Sequence, residues 1–544
     1  MWKVMGRIVW VAVILVACRF PALPPIDEGD GGNVDADLQR PQPITVTVVG
    51  EGTVTTAPPG IDCGMQCAAE FEPLSTVTLT AAPSASFLFA GWEGDCVGSG
   101  DCVLSMDGAK VVTARFVRRG SVRWVKHVSY PEHDHIAAVV TDPQGDVLVA
   151  GTVDDGGGSD LFVAKYAASN GQLVWMNHLD TPGLALETFG GLAVDTTGSV
   201  YVAARLQGDG NAVSYGAHAV AGDVLGNIVV LRLSGETGGV GWAKQWGGAG
   251  QDVPAAIAVF GNDLYVVGKT SSNPAVFDGM SIAAQTGDGF VVRASTSSGS
   301  AAAVRRIPGP VDLDAVALNG TNVLVGGAVR ASFTLDTCVA APTGAGSDAL
   351  LIALAGTTLN CQWVQNLGDT VSGNDAFVRG VAAFPGGGWV IAGVFEGSLS
   401  GLGSTALGSR GGTDVFVARL AVDGQRLWSF RYGEGANESV SGIATTQEGD
   451  VIFAGAFPGP SLHLGAFTVT GDSNVFVTRM TDAAVPTHEW AVSLGGAESD
   501  TADGLAVSAD GSVYVVARFS GFTTVGNTPL ASQLSDSWLA ALVR

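Results

Sequence analysis

The chain has 544 residues, 77 of them glycine, with 51 Asp and Glu against 27 Lys and Arg. A formal charge of −24 leaves no basic stripe to neutralise phosphates, so nucleic acid is excluded as an expected partner. Val, Ala, Leu and Ile recur in short alternating runs bounded by Gly, Asp and Asn, the texture of an all-β chain with many turns.

The start, "MWKVMGRIVWVAVILVACRF", places Lys3 and Arg7 before an apolar run of ten residues, Ile8 to Ala17. A hydrocarbon core needs about 20 such residues, so residues 1–17 read as a signal peptide and not as a membrane span. Leu15-Val16-Ala17-Cys18 resembles the lipobox of bacterial lipoproteins. That resemblance implies cleavage before Cys18 and its lipidation, hence a membrane partner through the lipid. With Arg19 next instead of Asp, it also implies the outer membrane. An ordinary signal peptide with an incidental Cys18 is the alternative. Residues 18–43 are rich in Pro, Gly and acidic side chains and have nothing to bury. They read as a tether spanning on the order of 25–30 Å as a random coil.

Residues 44–118 change character, with "ITVTVVG", "TVTLTAAP", "FLFAGW" and "AKVVTARFV" alternating in strand fashion. The series "GTVTT…GIDCGMQC…VTLTAAP…FAGWEGDC…DC…VVTARF" resembles the divergent internalin B-repeat family of bacterial surface proteins. The resemblance implies a small β-rich module used as a spacer or adhesive part. Its four cysteines allow three pairings. Cys63–Cys67 and Cys96–Cys102 are favoured because each would staple one loop in an oxidising compartment. A four-thiolate zinc site is the alternative.

From residue 120 to 544 the chain repeats itself. Each of seven units offers an apolar segment such as "GLAVD", a second after a Gly turn such as "GDVLVAG", and a third beginning at Asp160, Asn227, Asp288, Asp348, Asp414, Asn474 or Asp536. A fourth is anchored by Trp175, Trp242, Trp363, Trp428 or Trp490, with Val304 in that place in the third unit. The pattern resembles the bacterial seven-bladed propeller repeat (SBBP-type), which implies a seven-bladed β-propeller. The seventh unit lacks a Trp segment, and "SVRWVKHVS" around Trp124 stands unclaimed before the first. The expectation is a ring closed by this N-terminal strand, which would pair otherwise open sheet edges. The third-segment Asp/Asn is expected to bond backbone two residues on, and the Trp anchors to pack between blades. Cys338 and Cys361 flank the third strand of the fourth unit and are disulfide candidates.

Aligning the units brings out seven carboxylates ahead of the first strand's core: Asp134, Glu187, Asp252, Asp312, Asp375, Glu438 and Asp500. Capping of tight turns is one reading. The other is an acidic ring at one channel mouth that attracts a cation such as Ca²⁺. "PEHDHI" adds His133 and His135 near Glu132, Asp134 and His127, a second set of conceivable metal ligands. No G-x-S-x-G, H-E-x-x-H or G-x-x-x-x-G-K-[ST] occurs. "SNGQLVW" and "VDGQRLW" resemble the tryptophan-docking repeats of quinoprotein dehydrogenases, which bind pyrroloquinoline quinone. The expectation is a non-enzymatic, cofactor-free surface lipoprotein that binds a protein or glycan. A periplasm-facing scaffold is the first alternative and a quinoprotein-like enzyme the second.

Overall fold

The computed structural model describes residues 40–544, apart from 65, 130–133, 155–158, 180–185, 209, 370–372, 472, 484 and 497. The signal peptide, Cys18 and almost all of the tether lie outside the described residues, as do Glu132, His133 and the side chain of Asp134. Every regular element among the described residues is a β-strand. The chain divides into two compact units, Met1–Ala82 with Phe89–Arg115 and Pro83–Leu88 with Phe116–Arg544.

In the first unit, Gln42–Val49 runs antiparallel to Gln66–Phe71 and parallel to the strand that begins at Lys110. A second sheet orders Asp62–Cys63, Gly52–Ala57, Thr76–Pro83 and Cys102–Ser105. The period-2 pattern puts Ile44, Val46, Val54, Val77, Leu79 and Val112 inside, each fully buried. Disulfides join Cys63 to Cys67 and Cys96 to Cys102. All four sulfurs are thereby consumed, and no thiolate remains for the zinc alternative.

The second unit contains seven four-stranded antiparallel sheets among the described residues, sheets 1 and 2 being joined by one parallel bridge, Ser159 to Leu186. Sheet 1 consists of Asp134–Thr141, Val147–Asp154, Ser159–Tyr166 and Leu173–Leu179, and sheets 2 to 6 follow in chain order. Their middle strands are apolar on both faces because each sheet is packed between two others. Val147, Leu148 and Val149 of sheet 1 and Val513 and Val515 of sheet 7 are fully buried. Sheet 7 takes Asp500–Val507, Val513–Val525 and Thr528–Leu542 from one end of the unit and Val122–Val128 from the other. Trp538 lies opposite His127, and Ala541 opposite Trp124. First strands of adjacent sheets touch all the way round, sheet 7 against sheet 1 included. The result is a closed β-propeller.

The closure imitates a covalent turn. Between the third and fourth strands of sheet 1, Ala167 N–H donates to Gln172 O at 2.8 Å and Gly171 N–H to Ala167 O at 2.8 Å. In sheet 7 the same two bonds form across the gap, Val543 N–H to Ser121 O at 2.9 Å and Gly120 N–H to Val543 O at 2.8 Å. Gly120 therefore occupies the place of Gly171, and both have positive φ, +73° and +64°.

This turn receives the indole of the preceding sheet. Trp124 Nε1–H donates to Ala168 O at 2.9 Å, Trp175 to Gly235 O at 3.1 Å, Trp242 to Thr296 O at 3.1 Å and Trp363 to Val422 O at 2.9 Å. The ring lies on the turn glycine so closely that a Cβ on Gly238 would sit 2.6 Å from Trp175. In sheet 3 the residue opposite Arg293, the register place of the tryptophans, is Ala303. Val304, expected there from spacing, is one residue off. The turn that faces Ala303 compensates with Leu359, φ +57° and fully buried in the same apolar cluster as Ala303.

One feature was not legible as a separate element. Two-stranded hairpins interrupt sheets 2 to 6 between the second and third strands. In sheet 4 the disulfide Cys338–Cys361 ties that hairpin to the fourth strand.

Exchange of the two packing solutions is expected to be coupled. Leu359→Gly alone leaves a cavity and costs about 2–4 kcal/mol, and Ala303→Trp alone overpacks and costs about 1–3. In urea denaturation the double variant should be more stable than the summed singles by at least about 2 kcal/mol.

Candidate functional site

First strands of the propeller are tied at their heads to the preceding sheet by main-chain bonds. Asp252 N–H donates to Gly226 O (3.1 Å), Val311 to Gly287 O (3.1 Å), Ala376 to Ser347 O (2.7 Å), Glu438 to Thr413 O (2.8 Å) and Asp500 to Ser473 O (2.8 Å). Each acceptor immediately precedes the third-strand Asp or Asn of the previous sheet. The bonds also define which residues are equivalent, namely Asp252, Val311, Ala376, Glu438 and Asp500. Asp312 and Asp375, which the sequence places slightly out of step with the others, are each one position away.

Five of the predicted carboxylates are spent on local donors. Glu187 accepts from Leu161 N–H of sheet 1 at 2.9 Å and from the Tyr215 hydroxyl. Asp252 takes the Thr270 hydroxyl, the Ser272 hydroxyl at 2.7 Å and Gly248 N–H at 2.9 Å. Asp500 takes Gly496 N–H at 3.0 Å, the Thr523 hydroxyl at 2.9 Å and the Trp538 indole at 3.2 Å. Asp312 pairs with Lys269 and with Arg330 at 2.6 Å, and Asp375 accepts Ser347 N–H at 2.6 Å. Among the described residues no group of three or more His, Cys, Asp and Glu side chains is placed to hold a metal ion. Burial raises the carboxyls of Asp252 and Asp500 against these hydrogen bonds.

The third-strand residues do something other than bond two residues on. Asp288 accepts N–H from Gln285 (2.6 Å) and the Arg306 guanidinium (2.5 Å). Asp414 accepts from Arg410 N–H (3.1 Å) and Arg431 (2.6 Å). Asp348 meets Asn366 at 2.9 Å and Asp536 meets His127 at 2.7 Å. They reach back to the preceding loop and across to the fourth strand. Of the "PEHDHI" group, His127 is thus committed to sheet closure, and His135 lies 3.3 Å from Asp503.

What the repeats bring to the axis is a different set. In every first strand the ladder slips by one residue, at Ala137, Gly190, Ala255, Asp314, Arg379, Ser441 and Asp503. A bulge leaves its extra residue unpaired and re-aims the side chain. All seven line a single central cavity of about 260 Å³. Sheets 1 to 3 supply Ala and Gly there, while sheets 4, 5 and 7 supply charge. Asp314 pairs with Arg379 at 2.9 Å, and Arg379 also lies 4.5 Å over the Phe377 ring. Asp503 pairs with Arg518 at 3.0 Å. Burial pushes the Asp314 carboxyl above its ordinary range, with Arg379 opposing. Sequence reasoning missed this set because it followed the residues that recur, and the channel is lined by those that vary. The signal that could have found it is position: the lining residue stands three places after the head of the strand.

Residues 43–120 match the family described as the divergent InlB B-repeat domain. No curated protein sequence matches the chain. Three solved structures with similarity to it are propellers or propeller-containing enzymes at low identity. The WD40 β-propeller domain of Doa1 is 9% identical, with a TM-score of 0.39, over 78% of this chain and 97% of that one. BamB from Moraxella catarrhalis is 12% identical, with a TM-score of 0.34, over 76% and 99%. Quinohemoprotein alcohol dehydrogenase from Comamonas testosteroni is 11% identical, with a TM-score of 0.36, over 73% and 65%.

Two groups between sheets 5 and 6, Glu438 buried and His488 half-buried, titrate in opposite senses. Burial, then the neighbouring Asp414 and Glu434 charges, push the Glu438 carboxyl up to about 7 against backbone N–H bonds. Burial pulls His488 down to about 4. Its Nδ1 is 2.7 Å from the Thr478 hydroxyl, which donates to Trp490 O at 2.8 Å, and its Nε2 is 3.0 Å from the Tyr432 hydroxyl. Thr478 has one proton and gives it to a carbonyl, so His488 Nδ1–H donates to Thr478 and Nε2 accepts from Tyr432. The fold carries the extra proton on Glu438 between pH 4.5 and about 7, so stability falls as pH rises through that window. The unfolded chain carries the extra proton on His488 between about 4 and 6.5, so stability rises with pH there. Glu438→Gln is expected to leave a melting temperature that climbs from pH 4 to 6.5, and His488→Asn one that falls from 4.5 to 7. Each slope is worth roughly 1–3 kcal/mol in denaturant titrations across the pH range.

Proposed function

We propose that this protein is a non-enzymatic interaction platform displayed on the bacterial outer membrane, anchored by lipid at Cys18. The tether and the B-repeat-like module carry the propeller, which presents its binding residues to a protein or glycan partner. One observation carries the reading. The side chains that recur from unit to unit are occupied in holding sheets together, as Glu187, Asp252, Asp288, Asp414 and Asp500 show. Recognition then falls to positions that differ between sheets, above all Asp314, Arg379, Ser441 and Asp503 at the axis. Fold alone does not set function, and this division of labour is what favours binding over chemistry. Three disulfides fit an oxidising compartment.

Display is tested by protease treatment of intact cells with palmitate labelling of the protein. The expected result is a labelled chain that is clipped from outside, with labelling lost in Cys18→Ala. Protection of a labelled chain until the outer membrane is breached would instead support a periplasm-facing scaffold. Partner capture from solubilised envelopes should fall in the triple variant Asp314→Asn, Arg379→Gln, Asp503→Asn and persist in the surface variant Lys126→Gln.

A further inference from the structure

A second cavity, of about 370 Å³, opens between sheets 5 and 6 at the rim of the propeller, away from the axial residues. It arises where the indole-on-glycine contact is altered. The third-to-fourth-strand turn of sheet 6 runs from Thr481 to Thr487 and is closed by Thr481 N–H to Thr487 O at 2.9 Å. That is one residue longer than the Ala167–Gln172 turn of sheet 1. Trp428 of sheet 5 accordingly donates to the Asp482 side chain at 2.7 Å and not to a turn carbonyl. Pro486 and Thr487 of this loop form part of the cavity wall.

The floor is largely aromatic and uncharged. It is made by Phe430, Tyr432, Met480 and His488, with Tyr432 and Met480 buried. The Phe430 and Tyr432 rings lie 6.5 Å apart, and His488 stands edge-on to Tyr432 at 5.4 Å. The hydrogen-bond chain from Tyr432 through His488 and Thr478 to Trp490 O uses every donor these groups have. Burial, which pulls His488 down to about 4, keeps the imidazole neutral.

The mouth is the opposite, rich in unused donors. Arg410 and His463 flank Glu434, and both are well exposed, at 61% and 60%. His463 Nδ1 takes Glu434 at 2.9 Å, while the Arg410 guanidinium reaches the same carboxylate only at 3.5 Å. Arg431, by contrast, is spent on Asp414 at 2.6 Å and Gly433 O at 2.9 Å. One carboxylate shared by two basic groups leaves guanidinium N–H groups free to grip an anion bidentately.

A ring-sized aromatic floor under a guanidinium matches one ligand chemistry. We infer that this cavity binds a small aromatic carboxylate, its ring on Phe430, Tyr432 and Met480 and its carboxylate on Arg410. The volume is at the low end of the range of about 300–1,000 Å³ for small-molecule sites, which suits one or two fused rings. The site is independent of how the protein is displayed and of any partner held at the axis.

The test uses the full chain and indole-3-acetate in calorimetric titration. Saturable binding with a Kd on the order of 0.1 mM is expected for a ligand of this size. Arg410→Gln should weaken it by about tenfold or more. The neutral indole-3-acetamide should bind more weakly than the acid and be indifferent to that substitution. Ala466 is exposed at the cavity rim on the sheet 6 hairpin, so Ala466→Trp should abolish binding with an unchanged melting temperature. Three results would each overturn the assignment: no saturation by about 10 mM ligand, equal affinity for acid and amide, or full binding in a correctly folded Ala466→Trp variant.

Discussion

The contact on which the propeller depends is an indole laid across a glycine. In sheets 1, 2, 3, 5 and 7 the turn between the third and fourth strands carries a glycine with positive φ, and the missing Cβ opens a place that the neighbouring tryptophan covers. The ring buries its apolar face while its N–H satisfies a turn carbonyl that would otherwise be shut away from water. One contact thus settles the spacing between sheets and the direction of the next turn. Sheet 3 shows that volume is what matters, since Ala303 and Leu359 fill the same space with their sizes reversed. The closing turn at Gly120 and Val543 follows the same rule, which is why the last sheet can be assembled from two distant pieces of chain without a change of geometry.

With the rim held in this way, the inner ends are under a separate constraint. Seven first strands converge on the axis, and their heads are tied by main-chain bonds to the preceding sheet. A regular ladder would turn alternate side chains into the neighbouring sheets. The one-residue bulge in each strand turns a side chain to the axis instead. Gly190, Gly191 and Gly442 show how little room remains, since a Cβ at Gly190 would meet Pro254 O at 2.6 Å. Charge appears at the axis only in sheets 4, 5 and 7, and there it is paired. The side chains are therefore divided by position: repeated ones hold the ring and non-repeated ones line its axis.

Much of this was legible in the residues. The alternation around Ile44 and Val112, the Gly-bounded runs after residue 120 and the unclaimed Trp124 segment pointed to the strands and to the closure, because period-2 burial and an unpaired edge are local properties. The two cysteine pairs of the small module were legible for a similar reason, each bridging a short loop. Other features were not. The slight shift of Asp312 and Asp375 from the place of Asp252 was visible in sequence, but not that it sends their side chains to Lys269, Arg330 and Ser347 N–H. Val304 was read for Ala303 because spacing alone carries no register. The rim cavity was invisible because its lining is contributed by side chains of two different sheets.

The amino-acid sequence by itself determined the strand content, the repeat, the small cysteine-bearing module and the partner of the seventh sheet's open edge. These follow from hydrophobic period, turn chemistry and the need to pair backbone groups, all of which act within a few residues. Tertiary structure alone decided that Glu187, Asp252, Asp312, Asp375 and Asp500 are enclosed by separate sets of donors, that Asp314, Arg379 and Asp503 line one axial cavity, and that His488 and Glu438 are shifted in opposite directions. Each depends on which side chains from different sheets come within a few ångströms, and a shift of one residue in register reverses the face a side chain takes.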